Sequence, residues 1–342
     1  PDARSPDIDG KWIGLDRWPQ EASGTTFFAD DRNLSGAPAG SESEIVLDSP
    51  LTLGVTGGEW CPLDAGGNGP EFASDQRADD GQSWCLDTKP LDAPLHLVGH
   101  ARLKLRVSFA GERALLVIRL NEIKPDGTSA RVTFTARRLK RPDGVAPDEA
   151  FEVTIPVNAV AHRFSPGSRL RLALSTSYWP MFWPEAGDTA IRLAPDSLEL
   201  VLPGMPAEAN HTQPDYGEAL HAKPVPSTTI VAPEYKRYVV TDQASGKVHL
   251  YSEDTPSTWA LDGLSISNRY EHDYSILPHD GGSARAGFQF AQIYEREGWK
   301  VSIETDTQAF RENGKLVLTS RFTAHEGEEE VFERNWTHSF DY

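Results

Sequence analysis

The sequence predicts an all-β protein, a jelly-roll β-sandwich followed by a second antiparallel β-meander domain. Apolar residues alternate with polar ones in many short segments, Gly- and Pro-rich turns separate those segments, and no 3.6-residue periodicity persists over ten residues. At 342 residues the chain has the length of two domains. Ala101 to Phe109 is the clearest strand. Its odd positions are Ala101, Leu103, Leu105, Val107 and Phe109, and Arg102, Lys104, Arg106 and Ser108 lie between them, as one buried face requires. Arg113 to Leu120 follows as a nearly continuous apolar run, and Pro125-Asp126-Gly127 turns the chain into a segment with alternating Ala130, Val132, Phe134 and Ala136. Phe151 to Val157, Arg169 to Leu174 and Ala190 to Leu202 complete a series of the sandwich type.

Prolines at 195, 203, 206, 214, 224, 226 and 233 mark an extended connector. The expected division is therefore a sandwich over 1–205 with a loop-rich lead-in, a connector over 206–233, and an antiparallel β domain over 234–342. In that last part, Tyr235 to Asp242 and Lys247 to Ser252 flank Ala244-Ser245-Gly246, and Leu264, Ile266, Tyr270, Tyr274 and Ile276 mark one face of a long strand. Asn313-Gly314 between Trp299 to Phe310 and Lys315 to Ala324 predicts a hairpin, because both residues accept positive φ at low cost. Glu330 to Phe340 supplies a final strand, and Glu326 to Glu330 is expected to be a solvated tip.

A formal net charge of −18 disfavours phosphate backbones and anionic lipid, so neither a nucleic-acid nor a membrane partner is expected. An apolar content of 38% with nine tryptophans is more than a disordered acidic chain carries, which assigns the acidity to the surface of a folded protein. Two cysteines, Cys61 and Cys85, exclude a thiolate zinc site and a dense disulfide framework, and leave one bridge open. With no leader to read, the compartment stays open, the cytoplasm being favoured over export.

Motifs that carry chemistry are missing. The nearest approach to a G-x-S-x-G elbow, Gly281-Gly282-Ser283-Ala284-Arg285, ends in arginine and is expected between strands. Gly66 to Gly69 lacks the Lys-Ser/Thr of a phosphate loop. Asp75, Asp79 and Asp80 have oxygen-ligand spacing without the calcium-loop pattern, so a solvated or salt-bridged loop is favoured over a metal-dependent site. The histidines show no ligand spacing. No catalytic residue, cofactor or metal is assigned. What stands out is Tyr178-Trp179-Pro180-Met181-Phe182-Trp183-Pro184, rigid apolar area at a loop, read either as a core plug or as a docking surface or pocket wall.

The stretch from Glu71 to Trp84, followed by Pro90-Leu91, Pro94-Leu95 and Gly99, resembles the opening of the C-terminal domain of the CocE/NonD hydrolases, the family of X-Pro dipeptidyl-peptidases, cocaine esterase and α-amino-acid ester hydrolases. Arg119 to Gly127 is similar to that family's hairpin motif, and Arg163 to Arg171 to its Pro-Gly motif. The resemblance implies a galactose-binding-like jelly roll that is the accessory, non-catalytic portion of a serine hydrolase. Its partner would be an N-terminal α/β-hydrolase domain of the same protein, which holds the Ser-Asp-His triad; homo-oligomerisation is left open. It further implies that Trp179, Phe182 and Trp183 form a docking surface or pocket wall, with Asp75, Gln76 and Arg77 pinning a loop. The alternative from another class is a carbohydrate- or ligand-binding module in which two prolines fix the Trp179 and Trp183 rings.

Overall fold

The computed structural model describes residues 10–15, 18, 24–38, 44–57, 75–187, 190–206, 209, 215–218, 220–223 and 226–341. Trp60, Cys61, the Gly66 to Gly69 loop, Glu71 to Ser74 and His211 lie outside the described residues. The chain divides into two units, Pro1–Gly217 and Glu218–Tyr342.

In the first unit, β1 (Gly24–Asp30), β2 (Asn33–Ser35) and β3 (Ile45–Leu47) precede a four-residue helix, α1 (Arg77–Asp80). Then come β4 (Trp84–Asp87), β5 (Leu95–Gly99), β6 (Arg102–Ser108), β7 (Arg113–Ile123) and β8 (Ser129–Lys140). The unit closes with β9 (Phe151–Pro156), β10 (Val160–Phe164), β11 (Arg169–Ser175) and β12 (Ile191–Pro203). One ladder runs β8-β7-β11-β4-β2-β1-β12-β6-β9 with β3 beside β12, while β5 and β10 form a separate pair. Among the described residues, its two antiparallel halves meet only at the parallel β2–β4 contact, where Asn33 faces Asp87. Leu103, Leu105 and Val107 of β6 nevertheless share one core with Leu116, Ile118 and Leu120 of β7 and Leu170, Leu172 and Leu174 of β11. Strands so far apart in the ladder can share a core only if the halves face each other, as in a β-sandwich.

The alternation read along Ala101 to Phe109 is realised: all five apolar residues are buried, and Arg102 and Arg106 point outward. The continuous run that became β7 has a different cause. Its inner residues Ala114, Leu116, Ile118 and Leu120 enter the main core, whereas the outward Leu115 and Val117 pack with Leu53, Tyr178 and Met181. Both faces of this strand are covered.

The second unit is a meander of β13 (Ser227–Val231), β14 (Tyr235–Thr241), β15 (Val248–Leu261), β16 (Leu264–Leu277), β17 (Asp280–Arg296), β18 (Trp299–Glu312), β19 (Lys315–Glu326) and β20 (Glu329–Asp341). Except for β14, which pairs with β15, they follow the order β13-β15-β16-β17-β18-β19-β20. Asn313 and Gly314 take φ of 51° and 76°, the tight turn expected between β18 and β19, and Asp262-Gly263 makes the same turn between β15 and β16. Two expectations need correction. Residues 227–231, assigned to the connector, form β13 and pair with β15. Gly281 to Arg285, expected between strands, lies inside β17; the register shifts there, and the Ser283 hydroxyl accepts from Leu277 N at 2.8 Å while donating to Asp280 O. A Gly-Gly-Ser run at such an irregularity reads as a loop although the ladder continues through it.

Among the described residues no helix is long and apolar enough to cross a membrane. Replacing the buried Leu105 by Ala should lower stability by about 2–5 kcal/mol, while Lys104→Ala next to it should change it by less than about 0.5 kcal/mol. Urea unfolding of the two variants checks which face of β6 is inside.

Candidate functional site

The outer face of β7 continues from Leu115 and Val117 to Arg119 and Asn121. Pairing sets Arg119 beside Ala173 of β11 and Phe134 of β8, and Asn121 beside Arg171 and Arg131. Three irregular segments cover this face: the turn at Leu51 to Gly57, the loop from Asp75 through α1, and the aromatic loop Tyr178 to Glu185.

The α1 loop covers the polar half. Asp80 is buried, and four side chains converge on its carboxylate. Arg119 Nη1 lies 3.2 Å and Asn121 Nδ2 3.0 Å from Oδ1, and the Ser129 hydroxyl, at 2.6 Å, and Arg171 Nη1, at 3.0 Å, donate to Oδ2. Arg171 is itself held by a bidentate pair with Asp87, both contacts being 2.7 Å. Gln76, fully buried, accepts from Arg119 at 3.2 Å, and its backbone N–H donates to Ser129 O at 2.8 Å. Asp79 accepts from the Tyr178 hydroxyl at 3.0 Å and from Thr56 Oγ1 at 3.2 Å. Buried charge survives only when paired and hydrogen-bonded in this way. The guanidinium groups of Arg119 and Arg171 lie beside Asp80, and Asp75 pairs with Arg77, so these aspartates sit in a salt-bridged loop. Among the described residues no group of three or more His, Cys, Asp and Glu side chains is arranged to hold a metal ion.

The aromatic loop covers the apolar half. Tyr178 is fully buried, with Arg119 over its ring at 5.4 Å, and burial together with the Asp79 charge pushes its hydroxyl pKa up. Arg131 Nη1 donates to the same hydroxyl at 3.2 Å. Backbone pairing fixes the loop to the Leu51 turn through Trp179 N and Leu53 O at 2.7 Å. Gly54 has φ of +103°, and a Cβ there would come within 2.8 Å of the Tyr178 and Trp179 backbone, so glycine alone fits. At the far end Arg138 of β8 donates to Glu185 Oε1 at 2.7 Å and to Trp183 O at 2.6 Å.

The residues singled out from sequence thus separate. Trp179 is only 1% exposed and meets Trp183 edge-on, with ring centroids 5.2 Å apart, so it is a core plug of its own unit and not an exposed ring. The fixed pair of exposed indoles on which the carbohydrate reading rested is therefore missing. Phe182, packed on Phe134, and Trp183 are half-buried and keep part of each ring outward. Gln76 is fully buried and bonded to Arg119, Tyr178 and Ser129. Asp75 is half-buried: burial would raise its pKa, but the Arg77 guanidinium and the N–H groups of Arg77 and Ser129 outweigh that and hold it below the usual carboxylate range. Arg77 itself is exposed. Sequence reasoning missed Arg119, Asn121, Arg171 and Ser129 as members of this cluster. A signal was present, since arginine and asparagine on the covered face of β7 must find buried partners. Cys85 lies at the rim, where burial and Asp80 push its thiol up to about 12.

Residues 1–240 match the family described as the X-Pro dipeptidyl-peptidase C-terminal non-catalytic domain. The chain belongs to that family. The match agrees with the resemblance drawn from the α1 loop, the β7–β8 hairpin and the Pro-Gly motif before β11. A Mycobacterium bovis protein and a Mycobacterium tuberculosis protein, each named a "putative serine esterase", are 23% identical over 195 residues, covering 49% of this chain and 31% of theirs. The chain therefore spans about a third of the length of the curated relatives it matches. Among solved structures, an aminopeptidase from a marine-sediment Thaumarchaeota archaeon aligns at 20% identity and TM-score 0.45, over 55% of this chain and 37% of its own. An α-amino acid ester hydrolase aligns at 19% identity and TM-score 0.43, over 53% and 36%.

Two outcomes test this arrangement of the X-Pro dipeptidyl-peptidase C-terminal domain. Arg119→Ala leaves Asp80 buried with one cation fewer and should destabilise by about 3–5 kcal/mol, against less than about 0.5 kcal/mol for the exposed Arg77→Ala; chemical denaturation compares them. The second concerns Glu122, whose carboxylate takes His162 Nε2 at 3.0 Å and Ser165 N at 2.8 Å. Burial would raise its pKa, but these bonds and one from Ser168 lower it from 4.5 to about 2. A depressed carboxylate contributes stability above its ordinary pKa and loses it as pH falls through the folded value. Stability should therefore decline between about pH 5 and pH 2, and Glu122→Gln should flatten that part of the curve in unfolding measured against pH.

Proposed function

We propose that this chain is the accessory C-terminal portion of a CocE/NonD-type serine hydrolase. In this reading an α/β-hydrolase domain N-terminal to it carries the Ser-Asp-His triad and cleaves an ester, amide or X-Pro peptide bond through an acyl-enzyme intermediate. The family match over 1–240 carries the reading. The names of the esterase and hydrolase relatives are consistent with it. The role of this portion is positional: the α1 loop and the aromatic loop, locked on β7 and β8, offer a fixed surface on which the catalytic domain packs and which helps to shape its pocket. Arg77, Phe182 and Trp183 are the outward members of that surface, while Gln76, Asp75 and Trp179 hold it from beneath.

A wall residue acts on substrate binding without entering the chemistry. Incubated with p-nitrophenyl esters and aminoacyl-proline anilides, this chain alone should give no turnover above buffer, whereas the parent enzyme should hydrolyse at least one class. In the parent, Trp183→Ala should raise KM with little change in kcat. Turnover by the isolated chain, or an equal loss of kcat and kcat/KM in that variant, would contradict the assignment.

A further inference from the structure

The second unit ends on an open strand. β20 stands last in the meander and pairs on one side only, with β19. Its 13 residues include neither proline nor lysine, the residues that commonly blunt a sheet edge, and no described residue pairs with its outer N–H and C=O groups. All of them are exposed except the half-buried Trp336, and Val331, Phe332 and Phe340 are large apolar side chains left in solvent. From Phe332 to Asp341 the strand runs in unbroken register along β19. The opposite edge of the sheet is built differently: β13 and β14 divide the length of β15 between them, the chain breaks at Pro233, and the register of β13 shifts after Thr229.

A continuous open edge accepts a further strand, and charge decides which strand fits this one. When a strand pairs antiparallel with its own copy about a two-fold axis, opposed residues point to the same face, so one residue lies on the axis against its counterpart. At least nine of the 13 residues overlap when that residue is one of 333 to 337. Four of these registers set like charges against each other. Glu333 or Arg334 on the axis faces itself, Glu329 meets Asp341 when Asn335 is on the axis, and Glu333 meets Asp341 when Thr337 is. With Trp336 on the axis no two carboxylates and no two guanidinium groups are opposed. The two indoles then meet, Phe332 faces Phe340 on either side of them, and Arg334 faces the His338 imidazole. This register is also centred on the regular stretch of the strand, and Glu329 and Glu330 extend past the paired part.

We infer that two copies of this chain associate edge to edge along β20, antiparallel and with Trp336 on the two-fold axis, joining their sheets into one. Alternate residues of an edge strand present their N–H and C=O groups outward, so the joint forms about eight to ten backbone hydrogen bonds, close to the number in a standard interface. Each copy uses the same edge, so the assembly closes at two, and the interrupted β13–β14 edge takes no part.

Sedimentation equilibrium of the full chain over about 1–200 μM tests this. A reversible monomer–dimer equilibrium is expected, with no larger species. His338→Glu places a carboxylate opposite Arg334 of the other copy, twice per dimer, and should lower Kd by about threefold or more; His338→Arg places a guanidinium there and should raise it by about as much. His338 is exposed, so both variants keep the fold, which unchanged far-UV circular dichroism checks. A chain that stays monomeric at the highest concentration, or an open series of larger assemblies, overturns the inference. So do His338 variants that fail to shift Kd in opposite directions.

Discussion

The arrangement of the first unit depends on the Asp80 carboxylate. A buried carboxylate requires opposing charge and donors for its lone pairs, and here Arg119, Arg171, Asn121 and Ser129 each provide one contact from three different strands. The requirement works in both directions. Without α1 above it, the fully buried Arg119 on β7 would have no anion, and without the sheet beneath it a four-residue helix has too few hydrogen bonds to persist.

From that docking the surface follows. Gln76 and Asp79 extend the network to the Tyr178 hydroxyl, so the polar loop and the aromatic loop hold each other. Tyr178 and Met181 then cover Leu115 and Val117, and Arg138 fastens the end of the loop through Glu185 and the Trp183 carbonyl. Half-buried aromatics on a loop fixed at both ends lose little conformational entropy when another body packs against them, which is the property the proposed docking surface would use.

Much of this was legible in the sequence. Period two along Ala101 to Phe109 gave a strand with the correct inner face, and Asn313-Gly314 gave a turn with two positive φ values, because both signals are local. The family motifs were legible too, and the α1 loop, the β7–β8 hairpin and the residues before β11 that carry them meet in space at Glu122, Arg119 and Asp80. What could not be read was partnership across the sheet. Arg119 and Asp80 are 39 positions apart, and no local pattern reveals that the strand carrying one is covered by the helix carrying the other. Trp179 was ambiguous for the same reason: a Trp-Pro loop has the same composition whether its indole plugs a core or faces outward. The glycines of β17 misled because a bulge and a loop use the same residues.

Amide hydrogen exchange of the wild-type chain and an Arg119→Gln variant, followed in peptides spanning residues 75–87 and 176–185, tests the mutual locking of the two loops most directly. In the wild type both peptides should exchange as slowly as β7, and in the variant both should lose protection together. Fast exchange of either peptide in the wild type, or loss confined to residues 75–87 in the variant, would contradict it.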